Sequence, residues 1–69
     1  MPEVSSRTAA QIIGISDMTV RRHIHANRLD AQRRGLSKTY WIDVDALRRF
    51  ATEYNYRFDE ELAKKLARN

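Results

Sequence analysis

Six basic residues, Arg21, Arg22, Arg28, Arg33, Arg34 and Lys38, fall in one stretch that holds a single acid, Asp30. The whole 69-residue chain has a net charge of only +4, so outside that stretch acids and bases nearly cancel. A local basic patch on a near-neutral body is either a solvated face or a surface for a polyanion. Two groups within and beside the patch could do recognition chemistry. In the first, Val20 and Ile24 are four apart and share the face of a helix that must be buried. The opposite side then presents Met18, Arg21, Arg22 and His25, with Asp17 and Thr19 at the N-terminal end. Such a helix fits the major groove of B-DNA, where Arg bonds guanine O6 and N7 bidentately and Thr meets a thymine methyl or a phosphate. In the second group, Arg33, Arg34 and Lys38 flank Gly35 and Ser37. A thin basic tip can approach the minor groove, whose negative potential attracts Arg. The alternatives are a helix merely solubilised by Arg21 and Arg22 and an ordinary polar turn. Ordinary turns seldom hold three cations and no anion, which favours recognition.

Other chemistries find no support in the sequence. His23 and His25 are two apart, about 200° around a helix, and cannot share a metal ion. Asp43 and Asp45 resemble a carboxylate pair, but one of them is needed to cap a helix. There is no nucleophile with a base and an orienting group, no phosphate-cradling glycine loop and no HExxH. With no Cys, disulfides and thiolate zinc sites are excluded. The expectation is a protein without catalytic residues, metal or cofactor.

The recognition groups must be held by elements, and the residues between them mark where those elements begin and end. Ser5–Ile13 reads as a short helix capped by Ser5, with Val4 as a hydrophobic staple on Ala9. Gly14 ends it in the left-handed conformation, and Ser16 caps a second helix over Asp17–Ala26 that Asn27 ends in the same way. Two short helices joined by Gly14-Ile15-Ser16 have the spacing of a helix-turn-helix. Leu29–Arg33 and Tyr40–Ile42 read as two strands of a hairpin with residues 34–39 as its loop. A third helix starts at Asp43 or Asp45, with Leu47, Phe50, Ala51 and Tyr54 as its core stripe, and ends near Asn55. A last helix runs from about Asp59 to Arg68, acidic at its start and basic at its end.

This order predicts a mainly α fold with a small β-hairpin: a winged helix-turn-helix domain over residues 4–54 and a C-terminal helical extension over 55–69. A chain this short buries only about 60% of its unfolded surface, so its stability is marginal. The longest apolar stretch is far short of the ~20 residues of a membrane span. The first residues lack the basic start and apolar core of a signal peptide. The default expectation is a soluble intracellular protein.

The runs Thr8-Ala9-Ala10-Gln11-Ile12-Ile13-Gly14-Ile15-Ser16, Thr19-Val20-Arg21-Arg22, Asn27-Arg28-Leu29-Asp30-Ala31, Tyr40-Trp41-Ile42 and Leu47-Arg48-Arg49-Phe50 resemble the excisionase family. That family has a winged helix-turn-helix fold related to the MerR regulators. The match spans about Val4 to Phe50. It departs from the family at Asn27, where Gly is usual, and at Asp30, where Pro is frequent; both positions are turn-like. A free-standing chain of this size is most similar to the excisionases of mycobacteriophages. The resemblance implies a recombination directionality factor that binds repeated sites in attachment-region DNA, bends it and turns phage integrase toward excision. It implies base contacts from Met18, Thr19, Arg22 and His25 and minor-groove contacts from Arg33, Arg34 and Lys38. It further implies a DNA-associated protein of the bacterial cytoplasm that binds beside copies of itself and touches integrase through its C-terminal segment. A small MerR-like transcriptional regulator and a protein-interaction adaptor on the same fold stay open as alternatives.

Four residues are candidates for contacts with protein. If Tyr40 and Ile42 point inward, Trp41 points outward, toward the last helix or a partner. Phe58, Leu62 and Leu66 form a narrow apolar strip on a helix too short to stand alone. That strip docks either on its own domain, over Trp41 and Val44, or on a neighbouring copy or integrase.

Overall fold

The computed structural model of the chain describes residues 2–36 and 39–67. Its elements are β1 (Glu3–Ser5), α1 (Ser6–Ile13), α2 (Asp17–His25), β2 (Gln32–Arg34), β3 (Thr39–Asp43), α3 (Val44–Glu53) and α4 (Glu60–Leu66). Among the described residues there are four helices and a three-stranded antiparallel sheet in the order β1-β3-β2, a small mixed α/β architecture.

Side-chain caps start the helices, at Ser5 and Ser16 as expected and at Asp59, which the sequence places as the first residue of the last helix. Ser5 Oγ accepts from Thr8 N at 3.3 Å, Ser16 Oγ from Thr19 N at 3.1 Å, and Asp59 Oδ1 from Leu62 N at 3.1 Å. Asp43, not Asp45, caps α3: its Oδ2 accepts from Ala46 N at 3.1 Å. Gly14, at φ 74, closes α1 by donating to Ala10 O at 2.8 Å. The positive φ favours glycine there, while the nearest atoms to a Cβ belong to the flexible side chain of Arg57, which can move aside. Asn27, at φ 61, takes the left-handed position after α2.

Three expectations are corrected. The hairpin is part of a larger sheet, because Glu3–Ser5 forms a strand on its far side, with Val4 opposite Ile42 and Ser5 opposite Trp41. Val4 is therefore a strand residue, 1% exposed, in the same core cluster as Ala9. The first hairpin strand begins at Gln32, not Leu29. Arg28 N and Leu29 N both donate to His23 O, at 2.9 and 3.3 Å, and a backbone closing a helix end cannot also join a ladder. Tyr54 caps the C-terminus of α3 and is 37% exposed, so the core stripe stops at Ala51.

One core joins the layers. Ile12, Ile13, Val20, Ile42 and Leu47 are at most 1% exposed, with Val4, Phe50, Ala51 and Ala63 beside them. Along β3, Ile42 is buried and Tyr40 packs on the core, while Trp41 stands between them on the other face. The segment read as an extension shares this core: Ala63 of α4 is 2% exposed, and Asp59 N donates to Ile12 O of α1 at 3.0 Å. Arg48 ties α3 to α4 by two bonds of 2.8 Å to Glu60, and a bond of 2.6 Å to Asp45 within α3 orients it. The hydrogen bonds that Arg48 donates to Glu60 and then to Asp45 raise its pKa above the usual range, and accepting from Arg48 lowers that of Glu60. No helix among the described residues is long and apolar enough to cross a membrane.

Candidate nucleic-acid interface

The expected recognition residues lie on two adjoining flanks of α2. Asp17, Arg21 and His25 follow one another at intervals of four and line an open groove of about 710 Å³. Its other walls are Arg33, Thr39 and Tyr40 from the hairpin and Ser5, Ser6 and Arg7 from the start of α1. Met18 and Arg22 occupy the next flank, with Arg22 Nη2 3.7 Å from Met18 Sδ. Met18 is 62% exposed, which an apolar side chain on a core-facing position would not be. Thr19 is half-buried, and its hydroxyl shares a 2.8 Å hydrogen bond with Ser16 Oγ at the cap.

The hairpin is fastened to α2. Tyr40 Oη lies 2.9 Å from His25 Nε2, and the Arg33 guanidinium stands 5.5 Å over the Tyr40 ring. Arg34 pairs with Glu3, so β1 holds the opposite edge of the blade. Gly35, at φ 79, turns the chain at the tip. Ser37 and Lys38, the remaining wing candidates, lie outside the described residues, as does Arg68.

Charge is distributed unevenly among these cations. Arg21 Nη2 donates to Asp17 Oδ2 at 2.8 Å, so part of its charge is met within α2. Among the described residues, Arg7, Arg22 and Arg33 have no carboxylate within ion-pair distance. An arginine without an internal acid keeps its full charge and its donors for an external acceptor. Unmatched guanidinium groups thus stand on two walls of the groove, at Arg7 and Arg33, and at Arg22 on the adjoining flank of α2.

Five residues that line the groove were not among the sequence candidates: Ser5, Ser6, Arg7, Thr39 and Tyr40. Arg7 reaches the groove only because β1 and α1 fold back over β3, which no local spacing announces. His23 lies in the core and not in the groove: it is 8% exposed, with Nε2 3.1 Å from Tyr56 Oη and Nδ1 accepting from Arg28 Nε at 2.9 Å. Its ring meets Phe50, Tyr54 and Tyr56 edge-on at 4.8, 5.3 and 5.9 Å. Burial, and then the Arg28 charge, lower its pKa below 6.5. Val20, His23 and Ile24 stand at i, i+3 and i+4, a spacing that places His23 on the core face.

The candidate protein-contact residues do not form one surface. Phe58 and Leu62 are half-buried against the core, and Arg48 stands 5.0 Å over the Phe58 ring. Leu66 is 38% exposed. Trp41 is half-buried across the sheet from Tyr40, beside Glu3, Asp30 and Asp43. Among the described residues no cluster of three or more His, Asp or Glu side chains is placed to hold a metal ion. No protein-family model matches the chain, and neither a curated protein nor a solved structure matches it.

Proposed function

We propose that this chain is a sequence-specific double-stranded DNA-binding protein of the winged helix-turn-helix kind. In this reading α2 is the recognition helix, the β2–β3 hairpin is the wing, and the groove between them receives one phosphodiester strand. A DNA backbone separates the major groove from the minor groove. A helix on one side of it and a hairpin on the other would engage both at once. The observation that carries the reading is the set of unmatched cations: Arg7 and Arg33 on two walls of the groove and Arg22 on the flank beside it.

The test is equilibrium binding to a mixed-sequence duplex at low salt, followed by selection of preferred sites from a random pool. The chain should bind the duplex and enrich a common motif. The double variant Arg22→Glu with Arg33→Glu should lose binding while keeping its circular dichroism. Failure of the native chain to bind, or equal binding by the charge-reversed variant, would remove the reading.

The finer role rests on the family resemblance: an accessory factor that turns phage integrase toward excision at attachment-site repeats. In that role the chain cuts no DNA. Supercoiled attachment-site plasmid should stay intact with the chain alone and recombine excisively only when integrase is added. Strand cleavage by the chain alone would overturn it.

A further inference from the structure

Few large apolar side chains are left in solvent. Among the described residues they are Met18, Leu36, Tyr54 and Leu66, and Leu36 stands apart at 105% exposure. Its side chain loses no surface to the fold and contributes nothing to the core. A single exposed leucine is ordinary on a protein surface. The setting of this one is not. It follows Gly35 at the turn of a hairpin whose first strand is exposed at all three positions, and open space surrounds the place where a Gly35 Cβ would stand. The blade is thin, and Arg33 and Arg34 immediately precede its tip. The two most exposed apolar side chains, Met18 and Leu36, thus lie on the two elements that carry the candidate recognition cations.

A ligand for such a tip must offer anionic groups on its outside and an apolar interior within reach of one side chain. Duplex DNA has that structure, since its phosphates flank stacked base faces. We infer that Leu36 is a wedge that enters the minor groove of bound duplex, unstacks one base step and bends the DNA. The inference rests on the DNA-binding reading above and adds to it the residue that does the bending. Apolar side chains inserted between base steps kink duplexes away from the minor groove, at least cost at flexible pyrimidine–purine steps. The hairpin is braced for this. The Tyr40–His25 hydrogen bond fixes it to α2 and the Arg34–Glu3 pair fixes it to β1, so the tip would push from a fixed base. An anionic lipid surface is the competing partner for a basic tip with an apolar end. One leucine is a small anchor for that purpose.

The experiment uses the full chain and a mixed-sequence duplex of about 30 base pairs, short against a persistence length of about 150 base pairs. The duplex carries a donor and an acceptor at its ends and 2-aminopurine at TA and CA steps. At saturation the native chain should raise energy transfer and 2-aminopurine emission together. Leu36→Ser should abolish both rises and weaken binding roughly three- to tenfold, equivalent to about 0.7–1.4 kcal/mol. Leu36→Phe should retain both. Arg33→Ala should weaken binding yet give the full rise once saturated. Because Leu36 is wholly exposed, neither substitution there threatens the fold, and circular dichroism checks all three variants. If Leu36→Ser bends and unstacks the duplex as the native chain does, the wedge is refuted and the DNA-binding reading stands. If the native chain binds no duplex, both fall. Leu36-dependent binding to phosphatidylserine–phosphatidylcholine vesicles, without any effect of Leu36 on the duplex, would assign the tip to a membrane and overturn the wedge.

Discussion

At the scale of single residues, the side chains of α2 divide by what their neighbours leave available. Arg22 has no carboxylate partner among the described residues, whereas Arg21 is paired with Asp17. Arg22→Ala should therefore cost about 1–3 kcal/mol on a selected site and relax its base preference, as expected of a bidentate guanine contact. Arg33→Ala should weaken selected and random duplexes alike. Competition binding on both DNAs decides the matter: identical behaviour of the two variants would move base readout off α2. His23 makes a different prediction. Its folded pKa lies below 6.5, so the unfolded chain takes up the proton first as pH falls. The stability that His23 contributes is then fully present above about pH 6.5 and is lost as pH drops through the folded value. Urea midpoints of the native chain and His23→Phe, compared from about pH 7.5 down to about pH 5, should show the native chain losing ground to the variant. A constant difference between them would mean that His23 does not change protonation in that range.

At the scale of elements, the decisive contacts connect pieces that are each too short to persist alone. A helix of seven residues, such as α4, is far below the length at which isolated helices are stable. It persists because Ala63 and Leu62 pack on the core and Arg48 bonds Glu60. The apolar strip expected along its edge is thereby split. Leu62 faces inward, and Leu66 is 38% exposed. Leu62→Asp should destabilise the fold by about 2–4 kcal/mol, since it presses a charge against apolar surface. Leu66→Asp should change stability by less than about 0.5 kcal/mol. Denaturant midpoints give both values, and equal effects would show that α4 sits differently on the core. Only Leu66 then remains on α4 as an apolar point for a neighbour.

At the scale of the whole molecule, charge and shape act together. The net charge is +4; Glu60 and Asp45 pair with Arg48, Glu3 with Arg34 and Asp17 with Arg21, and among the described residues Arg7, Arg22 and Arg33 have no carboxylate within ion-pair distance. With about five phosphates neutralised, log K should fall against log salt with a slope near −5. Fluorescence anisotropy on one duplex across a range of potassium chloride measures it. A slope near zero would mean that phosphate contacts do not drive binding. The hairpin also needs the rest of the molecule. Two strands of this length are marginal in isolation, and here the ladder to β1 and the Tyr40–His25 bond support them.

The sequence alone determined what local chemistry controls. Ser5 and Ser16 cap helices because a side-chain oxygen reaches a backbone N–H three residues on, within one turn, whereas the choice of Asp43 over Asp45 as the cap of α3 came from the structure. Gly14 and Asn27 end α1 and α2 because the left-handed position favours those residue types. The exposed row of Met18, Arg21, Arg22 and His25 follows from helical period once Val20 and Ile24 are placed inside. Only the tertiary structure decided the rest. β1 is three residues with one buried side chain, and it is a strand solely because Ile42, distant in the chain, lies opposite Val4. His23 is a core residue because Tyr56 and Arg28 satisfy both its ring nitrogens from outside α2. Arg7 joins the groove, and Leu62 turns inward, through packing between elements that are far apart in sequence. Periodicity constrains which residues share a face of one element, whereas the partner of that face is set by long-range burial, which has no local signal.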